Sequence, residues 1–126
     1  MSVYQKATGK RLPLPRPESD QQVLHVSATF NHYLLELTSI KSERLRDTDG
    51  LSALVVAAAG AVGMPGLGPP VARQGAGEIA VALLCLEGHI VLHCAPGEGV
   101  CLIDIVARAP ADVGKGIDVI SRRLAS

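Results

Sequence analysis

The chain has 126 residues, the length of one domain at about 100–200 residues per domain. Hydrophobic residues make up 48% and charged residues 19%, which excludes wholesale disorder. Twelve Lys and Arg balance twelve Asp and Glu, and there is no Trp and one Phe, so neither a basic field for nucleic acid or anionic lipid nor a base-stacking platform is expected. The longest apolar stretches, around Leu51–Val62 and Ile79–Leu86, fall short of the roughly 20 residues of a membrane-spanning helix. The N-terminus carries no apolar run of a secretory signal. The three Cys, an odd number, read as cytosolic thiols, so a cytoplasmic location is expected.

Residues 1–22 have no hydrophobic period and hold Pro13, Pro15 and Pro17, which predicts an extended arm ahead of a domain over 23–126. Val23–Leu37 is rich in β-branched and aromatic residues, which predicts a strand to about Phe30 and a turn near Asn31-His32. Lys41–Asp49 is charged and belongs on the surface. An alanine-rich run follows, which predicts a helix over about 50–62 with Asp49 as its N-cap. Met64–Gly77 reads as a Gly/Pro loop, either a lid or an insertion. Ile79–Leu86 and His89–Cys94 read as strands around a turn at Glu87-Gly88. A second turn at Ala95–Gly99 precedes a strand over Val100–Ala107. Val113, Ile117, Ile120 and Leu124 lie on one face of a final helix over Ala111–Leu124, with Arg122-Arg123 in its last turn to suit the macrodipole.

The predicted order is β-α-β-β-β-α. It makes an α+β two-layer sandwich, an antiparallel-dominated sheet with two helices on one face. The other face needs a cover, and a homodimer supplies one.

Glu87, His89, His93, Cys94, Glu98, Cys101 and Asp104 form the densest polar cluster in an otherwise apolar region. On a strand, His89, Val91 and His93 share one face and Ile90, Leu92 and Cys94 the other. His89 and His93 stand roughly 13 Å apart along such a strand, too far to chelate one metal without a bend. Cys94 could meet Cys101 across the turn, but zinc needs three or four convergent ligands, so no metal is expected and buried Cys as core filler is the plainer reading. Gly60–Gly68 follows a helix and is no dinucleotide fingerprint. No Ser lies between Ser52 and Ser121, which removes a nucleophile elbow there.

The segment Leu86–Arg108, LEGHIVLHCAPGEGVCLIDIVAR, resembles, without a gap, the active-site segment of the short prokaryotic S-adenosylmethionine decarboxylases. Glu87, His89, Ile90, Leu92, His93, Pro96, Gly99, Asp104 and Ile105 fit that pattern. The order of elements fits as well, beginning with an early strand that contains His25. The resemblance implies a chain that cuts itself: a Ser hydroxyl attacks the preceding Glu carbonyl, and elimination leaves a pyruvoyl group that serves as electron sink. Here that position is Gly88, which cannot form the ester. The family's proton-donating Cys aligns with Arg108, its Trp with Ala95, its ribose-holding Glu with Gly97, and an upstream processing Ser falls near Ala80. His93 aligns with the His that assists processing and is retained. The chain stops soon after its last helix, which implies a missing edge strand.

No pyruvoyl cofactor is therefore expected, and no residue stands as a confident catalyst. The expected ligand-binding set is Glu87, His89, His93, Glu98 and Asp104. The leading reading is a non-catalytic homologue that keeps the fold, binds S-adenosylmethionine or a polyamine, and regulates polyamine metabolism. The alternatives are an active decarboxylase of S-adenosylmethionine or a related amino acid in spermidine biosynthesis, a new enzyme using His89, His93, Cys94 or Cys101, and a purely structural or interaction domain.

Overall fold

A computed structural model describes residues 21–26 and 29–125. Six strands form one sheet in the order β1-β2-β6-β5-β4-β3, and every neighbouring pair is antiparallel. The strands are β1 (Gln21–Val26), β2 (Phe30–Leu37), β3 (Val71–Gly75), β4 (Glu78–Cys85), β5 (Gly88–Ala95) and β6 (Val100–Arg108). The helices are α1 (Ser42–Arg46), α2 (Thr48–Val62) and α3 (Val113–Ala125), and α2 and α3 pack on one sheet face. The expected two-layer α+β sandwich is therefore the architecture. Of the arm expected over 1–22, only Gln21 and Gln22 lie within the described residues, and they open β1. Among the described residues no helix is long and apolar enough to cross a membrane.

The core sits between the sheet and the two long helices. Alternation fills it: Cys101, Ile103, Ile105 and Ala107 of β6 and Ile90, Leu92 and Cys94 of β5 are buried on the helix side. Leu51, Leu54, Val55, Ala58 and Ala59 of α2 meet them, with Ile117, Ile120 and Leu124 of α3. Among the described residues no polar or charged residue is fully buried. The polar groups lie on the opposite sheet face or at the rim.

Four local expectations are corrected. The turn expected at Asn31-His32 comes earlier, and both residues belong to β2. β2 is an inner strand, paired with β1 and β6, where the Asn31 amide Nδ2 donates to the Ala111 carbonyl at 2.9 Å while its Oδ1 is buried without a hydrogen-bond partner among the described residues. The N-cap of α2 is Asp47, not Asp49: its Oδ1 accepts from Gly50 N–H at 3.0 Å, and Asp49 lies in the first turn, where the dipole favours it. The loop expected over 64–77 contains β3, which pairs with β4 through a two-residue turn. That turn, Ala76-Gly77, has φ of 53° and 78°, the both-positive geometry that matches strand twist. The hairpin between β4 and β5 turns at Leu86-Glu87, because Gly88 pairs with Cys85 and already begins β5.

Candidate functional site

The helix-free face of the sheet carries the polar cluster. Pairing register arranges it in rows across the strands. His32 and His89 flank Val106, Leu34 and Val91 flank Asp104, and Glu36 and His93 flank Leu102. Asp104 thus occupies the centre, with three histidines at diagonal positions, where side chains reach each other. Position 104 faces this side because β6 buries its odd-numbered residues against the helices.

His32 Nε2 lies 2.6 Å from Asp104 Oδ1, and His89 Nε2 lies 4.0 Å from Oδ2. Half-burial raises the Asp104 pKa, but the hydrogen bond from His32 and the fields of His32, His89 and His93 outweigh it, and the carboxyl titrates below its ordinary value. A depressed carboxyl stabilises the fold above its unfolded pKa, near 3.9, and that stability is lost as pH falls through the folded value. Asp104→Asn is expected to cost about 1 kcal/mol at pH 7, since the pair is partly exposed. Urea melts at pH 7 and in acid below about pH 3.9 check this: the gap between wild type and variant should narrow at the lower pH as the carboxyl takes up its proton. An equal gap at both pH values would show that the charge is not what stabilises.

The expected ligand set does not form one site within a chain. His89, His93 and Asp104 share the open face, with Glu87 in the exposed turn before β5 and Glu98 in the 3-10 turn Pro96–Glu98 beyond its far end. Those ends are separated by eight strand residues, about 26 Å. His32 was missed as a partner of Asp104. The signal was the alternation of Phe30–Leu37, which places His32 with Leu34 and Glu36 on one face.

His93 is exposed and borders a shallow hollow of about 280 Å³ with Arg73, Gln74, Glu78, Ile79 and Ala80. Ala80 pairs directly with His93. Arg108 holds its guanidinium 5.5 Å from the centre of the Phe30 ring on the same open face. A guanidinium offers N–H donors in a planar fork and no acceptor. Cys94 and Cys101 face the helices, with sulfurs 3.6 Å apart. Among the described residues no group of three or more His, Cys, Asp or Glu could hold a metal ion.

Gly88 is the tightest point. It opens β5 opposite Ala107 of β6, on the helix side. A Cβ added there would fall on the Val106 carbonyl oxygen, 2.7 Å from its carbon and 2.9 Å from Ala107 Cα. All of these are backbone atoms, which cannot swing aside as a side chain can. The Glu87 carbonyl is engaged too, accepting from Arg108 N–H at 2.9 Å. The register locks β5 to β6 at the Glu87-Gly88 bond.

An antiparallel sheet backed by two helices on one face, with a polar open face and a β4–β5 hairpin that turns at Leu86-Glu87, makes an α+β two-layer sandwich. The profile of the S-adenosylmethionine decarboxylase family matches residues 31–126, so the chain belongs to that family. The crystal structure of the adenosylmethionine decarboxylase from Aquifex aeolicus superposes with a TM-score of 0.70 at 17% identity, over 79% of this chain and 83% of that one. At that identity the likeness shows the fold. Comparison with curated proteins gives no match.

Proposed function

We propose that this chain is a cytoplasmic, non-catalytic member of its family, a homodimer that binds S-adenosylmethionine or a polyamine and acts in the regulation of polyamine metabolism. Gly88 carries the reading. Residue 88 has no hydroxyl to attack the Glu87 carbonyl, and the β6 backbone occupies the volume a serine Cβ would need. The site does not fit a pyruvoyl group, and no reaction step is assigned to one. Arg108 in place of a proton-donating thiol supports the same reading.

The open face supports the dimer. Leu34, Val91, Leu102 and Val106 are only half-covered there, and Leu84 and Val71 at the β4–β3 side are 67% and 47% exposed. The hollow beside His93 is shallow, and about 280 Å³ is small for a nucleoside-sized ligand, so a second copy laid over this face would supply the missing wall.

Calorimetric titration with S-adenosylmethionine, its decarboxylated form and spermidine tests binding. The expected result is micromolar affinity for at least one, weakened at least tenfold by His93→Ala. Absence of heat with all three would leave the scaffold without its ligand and would overturn the binding part of the proposal.

A further inference from the structure

We propose that Cys94 and Cys101 are a modification site, a thiol pair that closes reversibly into an intramolecular disulfide by exchange with a small disulfide of the glutathione class. The two residues are direct partners in the β5–β6 register. Their sulfurs stand 3.6 Å apart. Opposed residues of an antiparallel pair have Cα atoms about 4.5–5.5 Å apart, inside the range of about 4.4–6.8 Å that a disulfide spans. Closure therefore needs side-chain rotation and no change of register. Nothing in the function proposed above uses either thiol.

The position also provides access. Both thiols are buried, but Cys94 is one residue from the end of β5 and Cys101 one residue from the start of β6. Between them runs the 3-10 turn Pro96–Glu98, whose Gly97 and Glu98 are exposed. Opening of this hairpin end would bare both sulfurs at the cost of the Cys101–Leu37 pairing and the hydrogen bond from Ile40 N–H to the Gly99 carbonyl, with the rest of the sheet still paired. Cys85 cannot compete in the folded chain, because it pairs with Gly88 at the other end of β5, about 20 Å along the strand from Cys94.

The chemistry balances in two steps. The Cys94 thiolate attacks one sulfur of the small disulfide, forming a mixed disulfide and expelling one small thiolate, which takes up the Cys94 proton. The Cys101 thiolate then attacks Cys94 Sγ and expels the second small thiolate, which takes up the Cys101 proton. The pair is oxidised by two electrons and the small disulfide is reduced to two thiols. The Cys101 S–H can donate to a Cys94 thiolate, which holds Cys94 below the ordinary thiol value against its burial and raises Cys101.

The test uses the full chain, reduced and folded, and held in glutathione buffers that run from fully reduced to mostly oxidised before it is unfolded. Free thiols are then capped with N-ethylmaleimide and the chain is weighed. Oxidised buffers should give one adduct in place of three, on Cys85, with the protein lighter by two hydrogens and a peptide joining Cys94 to Cys101. The melting temperature should rise by about 5–10 °C, and the rise should vanish with dithiothreitol or in Cys101→Ser. Cys85→Ser should keep it. Three adducts in every buffer, a bridge to Cys85, or glutathione left on Cys94 would overturn the proposal.

Discussion

Gly88→Ser is expected to leave the chain uncut and to lower its stability by about 2–3 kcal/mol. The cost comes from the β6 backbone, because a Cβ at this position falls on the Val106 carbonyl oxygen. Relief requires β5 and β6 to part at this end. The register opposes that, with Gly88 paired to Ala107 and the Glu87 carbonyl accepting from Arg108 N–H. Gly88→Ala should cost about the same, since the methylene and not the hydroxyl is what clashes. Urea melts measure the loss and intact mass reports the chain. A Gly88→Ser protein that splits between residues 87 and 88 would mean that the hydroxyl was the one missing part and that the strand pair yields readily.

The second large effect lies in the core. Leu92→Ala and Ile103→Ala are each expected to cost about 3 kcal/mol. Both side chains are fully buried, and they are direct partners across β5 and β6 on the helix side. Each truncation leaves a cavity between sheet and helices that flanking strands are too well paired to fill. The double variant should cost less than the sum, because each residue loses contacts that the other truncation has already removed. Urea melts of the four proteins give the coupling. Full additivity would mean that the two side chains do not pack on each other.

Much of this fold is legible in the residues. The apolar run Val100–Ala107, broken only by Asp104, marks the strand, and the spacing of Val113, Ile117, Ile120 and Leu124 marks the face of α3 that the core receives. What stayed hidden depends on partners in space. β3 has a mostly exposed pattern and no periodicity, and it is a strand because β4 offers it an edge. The Ala76-Gly77 turn lacks the Asn or Asp that usually announces its geometry. Asp47 and Asp49 are equivalent candidates for a cap until the helix start is known.

The site divides in the same way. The absence of a hydroxyl at position 88 is plain from Gly88 itself. The closeness of Val106 to that glycine is not, since it depends on how β6 lies beside β5. Strand alternation puts His89 and His93 on one face, whereas Asp104 joins that face through the β5–β6 register, and Glu87 and Glu98 are near in sequence but fall at opposite ends of β5. His32 joins Asp104 across a separation of 72 residues, which local spacing does not reveal.

The central claim is that this member of the S-adenosylmethionine decarboxylase family does not process itself. The intact mass of the purified chain, taken under denaturing conditions, tests it most directly. One species at the full 13.1 kDa, stable on prolonged incubation, is the expected result. Two fragments divided between Glu87 and residue 88 would contradict it.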